Sequence, residues 1–109
     1  MDVVHLTELE GGNGPLWGLA TDDLNATLLA WDEGRGTPEH VNEHLDVVLV
    51  VVAGEGTVRV VEVDHEVRAG DALLIPKGAS RRITAGRRGL RYLTVHRRRG
   101  GLTIGRVGE

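Results

Sequence analysis

Four polar residues at every second position form the pattern in this sequence that most suggests chemistry: His40, Asn42, His44 and Asp46. Successive side chains of a β-strand point to opposite faces, so an extended backbone would place all four on one face. Imidazole is an acid or base near neutral pH, and imidazole together with carboxylate also binds transition metals. The spacing therefore predicts a polar site, catalytic, ligand-binding or metal-binding, on one patch of a sheet.

An apolar run at residues 47–53 follows at once and ends at Gly54-Glu55-Gly56. Such a run is typical of a strand that is buried on both faces, and the Gly-Glu-Gly segment predicts a turn. If the even-numbered residues fill the interior with Asp46, the odd-numbered residues of the run lie on the outer face and need a cover. A second copy of the chain is the simplest cover, so a homodimer is expected.

The rest of the chain reads as short strands and turns without a helix. Further strands are predicted at residues 3–9, 16–21, 24–31, 57–63, 66–68, 72–75, 81–85 and 90–97. Asp64-His65 is predicted as a two-residue hairpin turn, and residues 86–89 as the link between the last two strands. Residues 100–109 are either an edge strand or a fraying tail. Strands this short, with turns about every ten residues, indicate an all-β sandwich, jelly roll or barrel.

Length and composition bound the domain organisation. A chain of 109 residues is expected to form one core, so residues 1–109 are predicted to be a single domain with its barrel at about 16–98. The sequence has no cysteine, which excludes disulfides. Its acidic start does not resemble a signal peptide, and no apolar run is long enough to span a bilayer. We therefore expect a soluble cytoplasmic protein with no membrane partner.

Charge is unevenly distributed along the chain. Residues 1–76 contain 15 acidic and 3 basic residues, whereas residues 77–109 contain 1 acidic and 10 basic residues. A basic segment is one signature of nucleic-acid binding, but no recognition helix is predicted and only three aromatic residues could stack on bases. Basic strands can instead pair with acidic strands in an antiparallel sheet. We therefore expect no nucleic-acid partner.

Two segments resemble the conserved motifs of the cupins. GDALLIPKG at residues 70–78, with Arg81 three residues beyond it, resembles the second cupin motif, and HVNEHLD at residues 40–46, followed by Gly54, is similar to the first. The resemblance covers about residues 24–96. It implies a double-stranded β-helix, or jelly-roll barrel, that is usually dimeric. The superfamily it points to holds metal-dependent dioxygenases, isomerases and decarboxylases, and also metal-free binding proteins.

The resemblance also implies a site with altered ligands. Cupins with the full site hold a divalent metal with three His and one Glu; here His40 matches the first His, Asn42 the second, Asp46 the Glu and Arg81 the third His. Arginine has no lone pair to offer a metal. His40, His44 and Asp46 remain as a two-His, one-carboxylate set for one divalent ion, Fe, Mn, Ni or Zn. Without a metal, Asp46 and Arg81 are predicted to point at a common centre and form a bidentate pair.

Two classes of function stay open for this site, which is expected to take a small polar or anionic molecule. In an enzyme, His40 or His44 would be the acid or base, Asp46 would orient it and Arg81 would hold negative charge, as suits isomerisation, proton transfer or oxygenation. In a metal-free binding or sensor module the same residues would hold a ligand. In a structural module they would have no catalytic or binding role. The Asn42 side chain either lines this site or accepts a hydrogen bond from a backbone amide of a loop.

His96 is a further candidate for ligand binding. It shares one strand face with Tyr92 and Thr94, while Leu93 and Val95 share the other. If the apolar pair faces the core, His96 lies outside the barrel.

Overall fold

The computed structural model describes residues 3–98, which contain seven β-strands. In chain order these are β1 (Gly14–Ala20), β2 (Leu24–Trp31), β3 (Gly36–Val41), β4 (Val47–Val60), β5 (Val63–Arg68), β6 (Ala72–Ile75) and β7 (Ser80–Arg97). All strand pairs are antiparallel. Within this part of the chain, no helix is long and apolar enough to cross a membrane. The predicted all-β class is confirmed.

Two long strands, β4 and β7, organise the fold. They pair with each other along most of their lengths. The first half of β7 also pairs with β3 and the second half with β2, while β4 pairs first with β6 and then with β5. The result is two layers, β1-β2-β7-β4-β6 and β3-β7-β4-β5, which share the long strands. Both layers supply the core: Val47, Leu49, Val51, Val58, Val67, Ile75, Ile83, Ala85, Leu90 and Tyr92.

The long strands change their side-chain phase where they pass from one layer to the other. Core residues of β4 are odd-numbered at 47–51 but even-numbered at Val58, and core residues of β7 change from odd at Ile83 to even at Tyr92. Register shifts between the two strands flank Gly54. A bulge adds one residue to a strand and so reverses the face that later residues occupy. Each long strand can therefore face the core in both layers.

The predicted interior face of β4 is wrong. Val47, Leu49 and Val51 are at most 1 % exposed and belong to the core, whereas Val48 is 42 % exposed on the opposite face. A run that is apolar at every position carries no alternation from which to choose a face.

Two predicted interruptions are also wrong, because β4 runs through residues 54–56 and β7 runs through residues 86–89. The glycines serve close contact between the strands: a Cβ on Gly54 would overlap the carbonyl oxygen of Gly89. The predicted strand at residues 3–9 is not formed; those residues contain a turn. By contrast, β2 and β6 have the predicted bounds. The predicted tail at 100–109 lies outside the described residues.

The hairpin between β4 and β5 turns at residues 61–62, not at the predicted Asp64-His65, which lie within β5. Val61 has a φ of 59°, a conformation that is unfavourable for a β-branched residue. Its amide donates a 2.8 Å hydrogen bond to the Ser80 carbonyl oxygen. The strained turn is thus held against the start of β7.

We expect Gly54→Ala to destabilise the fold much more than Gly70→Ala. Both glycines have positive φ, but a Cβ meets backbone at Gly54 and open space at Gly70. In Gly70→Ala, the control, the free energy of unfolding should fall by about 1 kcal/mol because of backbone strain. In Gly54→Ala it should fall by roughly 2 to 5 kcal/mol, because the added Cβ also crowds the neighbouring backbone. Urea denaturation gives both free energies of unfolding. Equal losses would mean that the strands do not approach closely at Gly54.

Val61→Gly should stabilise the protein. Removing strain of about 1–3 kcal/mol outweighs the entropy cost of a glycine, roughly 0.5–1 kcal/mol. Val63→Gly is the matched control, because Val63 is equally exposed but lies in β5, and it should destabilise. A loss of stability in Val61→Gly would contradict the strained turn.

Candidate functional site

The four alternating polar residues do not share a strand face. β3 ends at Val41, and the Oδ1 atom of Asn42 accepts hydrogen bonds of 3.1 Å from the amides of His44 and Leu45. An Asn that binds backbone amides two and three residues ahead closes a tight turn. The Asn42 carbonyl oxygen also accepts a bond from the Gly78 amide at 2.8 Å. Asn42 therefore satisfies loop amides, which was one of its two predicted roles.

Asp46 and His44 lie in the exposed loop between β3 and β4. The Oδ1 atom of Asp46 accepts a 2.9 Å hydrogen bond from the Lys77 amide. The ion pairs between residues 3 and 98 are Arg59–Asp64 and Arg88–Glu55, so the predicted pair of Asp46 with Arg81 is not formed. Asp46 finds its partner in the backbone of the turn before β7.

His40 and Arg81, in contrast, are brought together. They stand directly opposite each other in the β3–β7 ladder, and opposed residues of an antiparallel pair project to the same face. Ile83, two residues further along β7, is 2 % exposed in the core, so this face is the interior one. Arg81 is half-buried and His40 is exposed. The pair thus lies where the interior opens to solvent.

Arg81 carries a charge that is partly withdrawn from water. Burial lowers the pKa of the guanidinium, and the nearby Tyr92 hydroxyl acts in the opposite direction. Both residues face the barrel interior, although they lie in different halves of β7. No acidic side chain between residues 3 and 98 forms an ion pair with Arg81.

Tyr92 and Trp31 form a partly buried polar pair that sequence reasoning missed. Tyr92 is 1 % exposed, and its hydroxyl oxygen accepts a 3.0 Å hydrogen bond from Nε1 of Trp31. Burial raises the pKa of Tyr92, while the Trp31 hydrogen bond and the Arg81 charge act against that rise. The available signal was that this lone tyrosine has polar neighbours on one strand face, but the sequence does not show which face is inside.

His96 projects to the same face of β7 as Tyr92 and Thr94, and that face is the interior one. Thr94 opposes the core residue Leu49. The apolar pair Leu93 and Val95 thus does not face the core, but His96, at the end of the strand, lines the same groove as the outer-face residue Val48. Nδ1 of His96 forms a 2.9 Å hydrogen bond with the carbonyl oxygen of Arg97, near the end of the strand.

The residues present do not fit a divalent metal ion. Within residues 3–98, no three His, Asp, Glu or Cys side chains are grouped so that they could hold one. His44 and Asp46 of the proposed ligand set lie in the loop, and His40 faces a permanent cation. A guanidinium at this position repels a metal ion instead of binding it.

Comparisons with known proteins agree with this architecture. The family model "Cupin domain" matches residues 27–96. A protein with a double-stranded β-helix domain from Klebsiella pneumoniae subsp. pneumoniae is similar with a TM-score of 0.79 and 18 % identity, over 94 % of each chain. KdgF from a Halomonas species has a TM-score of 0.71 and 24 % identity, over 80 % of this chain and 81 % of its own.

A cupin protein from Bacteroides fragilis has a TM-score of 0.68 and 23 % identity, over 78 % of this chain and 74 % of its own. No curated protein matches the sequence significantly. Structural likeness at such low identity establishes the fold only, whereas the family model covers well over half of the chain. The strand order, the jelly-roll layers and the family match together show that this chain belongs to the cupin domain family.

Proposed function

We propose that the barrel interior binds a small oxyanion and that Arg81 supplies the charge that holds it. The observation that carries this proposal is the half-buried guanidinium on the interior face, which forms no ion pair with an acidic side chain between residues 3 and 98. Partial burial of a charge is costly unless an opposite charge compensates it. An anionic ligand provides that compensation, and a guanidinium matches a carboxylate or phosphate through two parallel hydrogen bonds.

His40 is the second group that this proposal places at the ligand. It lies directly across the ladder from Arg81 and is exposed, so it can exchange protons with solvent. An imidazole beside a bound anion suits general acid or base catalysis near neutral pH. Asn42, His44 and Asp46 are assigned to the loop and make no contact with the ligand in this proposal.

The position of His40 opposite Arg81 favours proton transfer as a second candidate function. The test is to identify by mass spectrometry the small molecule that co-purifies and then to measure its turnover. His40→Gln, which keeps a hydrogen-bonding side chain but cannot take up a proton, should abolish turnover and leave binding within a fewfold. Turnover that persists in His40→Gln would remove the catalytic role, and binding alone would remain.

Arg81→Leu should weaken the binding of acetate, malonate and inorganic phosphate, measured by calorimetry, by about tenfold or more because a charge-assisted hydrogen bond is lost. The matched control is Arg82→Leu, since Arg82 is the neighbouring residue of the same strand but is exposed. The control should bind as the wild type does. Arg81→Leu should also unfold at equal or higher urea concentration, because a partly buried cation is replaced by an apolar side chain.

A loss of stability of about 3 kcal/mol in Arg81→Leu would show instead that the guanidinium has a buried carboxylate partner. No measurable binding of any of the three anions to the wild type would overturn the proposed function itself.

We also propose that the protein is a homodimer through the outer face of the layer that contains β6. One row of directly opposed residues crosses four strands of this face: Ala26, Val95, Val48 and Leu74. Val48 and Leu74 are 42 % and 56 % exposed, and Leu24 beside them is 50 % exposed. The N-terminal segment contacts the same side of the sheet at a different place. There, the Arg91 guanidinium donates a hydrogen bond to the Leu6 carbonyl oxygen.

Charge around this apolar row favours a second copy of the chain as the partner. Asp46 and Arg97 line a shallow groove of about 300 Å³ together with His96 and the apolar residues Leu24, Val48 and Val95. In a two-fold interface the same patch meets itself, so an acidic group of one copy can lie against a basic group of the other. A rim with one charge of each sign is therefore self-complementary.

Leu74→Glu should convert the protein to a monomer in sedimentation experiments at micromolar concentration, since it places a charge in the apolar interface. Val63→Glu is the control, because Val63 has a similar exposure, 58 %, but lies on β5 and away from this face. A wild-type protein that sediments as a monomer would refute the dimer, as would a Leu74→Glu variant that remains dimeric.

A further inference from the structure

The hydrogen-bonding capacity of Tyr92 is only half used. A phenol hydroxyl can both accept and donate. The Trp31 indole can only donate, so in the 3.0 Å contact the tyrosine oxygen is the acceptor. None of the side-chain hydrogen bonds described between residues 3 and 98 has the Tyr92 hydroxyl as its donor. The O–H hydrogen therefore has no acceptor in this part of the chain.

Bulk water cannot supply the acceptor directly, because Tyr92 is 1 % exposed. A buried donor without an acceptor is destabilising, and the great majority of buried polar groups in proteins are paired. The residues opposite Tyr92 in the two neighbouring strands are Leu29 and Val51, which have no side-chain acceptor. The group that acts on Tyr92 electrostatically is Arg81, and it too is only a donor.

We propose that Tyr92 is a ligand-binding residue, whose hydroxyl is oriented by Trp31 and donates to an oxygen atom of the anion held by Arg81. The inference rests on the proposed function, since it needs an anion in the barrel. Its structural basis is that both donors face the barrel interior, where the buried Tyr92 hydroxyl has an unused hydrogen and the Arg81 guanidinium forms no ion pair within residues 3–98. Trp31 is a positioning residue: by occupying one lone pair of the oxygen, it limits the directions in which the O–H bond can point.

This arrangement defines the chemical class of the ligand. Both groups donate a hydrogen bond to the ligand, so the ligand must present acceptor oxygens on at least two sides and carry negative charge opposite the guanidinium. Carboxylates and phosphates have these properties, whereas amides, alcohols and cations do not. The ligand class is therefore a small oxyanion that takes one bond from the guanidinium and another from the phenol.

The first experiment measures the affinity of Tyr92→Phe for acetate and inorganic phosphate by calorimetry. This change removes the donor and keeps the ring in the core, so affinity should fall about tenfold or more. Acetamide serves as the neutral analogue of acetate and should bind at least tenfold more weakly to the wild type. Trp31→Phe should weaken acetate binding less than Tyr92→Phe does, because the hydroxyl is retained but no longer oriented.

The second experiment needs no substitution at Tyr92. The chain has one tyrosine, so the absorbance of tyrosinate during an alkaline titration reports Tyr92 alone. Its pKa should lie above the ordinary value of 10.0 and should rise further when acetate binds, because the anion accepts the hydroxyl hydrogen and disfavours the phenolate. Arg81→Leu should also raise the pKa, because the cation that favours the phenolate is lost, whereas Arg82→Leu should leave it unchanged.

The outcomes separate the two proposals. If the wild type binds acetate or phosphate but Tyr92→Phe binds them equally well and the tyrosine titration ignores them, this inference is wrong and the proposed function stands. If neither anion binds the wild type, both proposals fail. Loss of affinity in Tyr92→Phe, together with a raised pKa in the presence of acetate, supports both.

Discussion

The antiparallel pairing of β4 with β7 is the interaction on which the rest of the structure depends. Each of the other strands except β1 pairs with one of these two. The long strands pass through both layers, so one ladder holds the barrel together, and glycine at position 54 permits the close approach of the backbones at the bend. A backbone contact of this kind excludes any larger residue, whatever its polarity.

The phase change within β7 is what creates the candidate site. Arg81 and Tyr92 are eleven positions apart, so in a regular strand they would project to opposite faces. The bulged passage between the layers reverses the phase, and both side chains consequently face the interior, one from each layer. A cation and a buried hydroxyl that alternation would place on opposite faces are thereby both turned towards the barrel interior. The strand irregularity thus has a chemical consequence as well as a geometric one.

Several features followed from the sequence alone because local signals specify them. Proline and glycine bound β6, and a polar turn precedes β2, so both strands were predicted correctly. The segments at residues 40–56 and 70–78 together indicated the family, and the glycines and proline of the second lie at turns of the barrel. The position of Arg81 at the interior face followed from that resemblance, and the β3–β7 register agrees with it.

Other features depend on contacts that no local pattern encodes. The glycines at 54, 86 and 89 look like turn residues, and only the neighbouring strands show that they are close contacts. The alternation from His40 to Asp46 looked like a strand because periodicity does not register the turn that Asn42 closes. The face of Tyr92 could not be read from alternation, because this part of its strand has one polar and one apolar side and the structure turns the polar side towards the core.

The most direct measurement of the central claim is a crystal structure of the protein soaked in bromide, located by its anomalous scattering. A bromide ion should lie between the Arg81 guanidinium and the Tyr92 hydroxyl oxygen, within about 3.5 Å of each, as a halide accepting two hydrogen bonds would. Arg81 turned towards solvent, or paired with a carboxylate of its own chain with no bromide beside Tyr92, would contradict an anion site in the barrel.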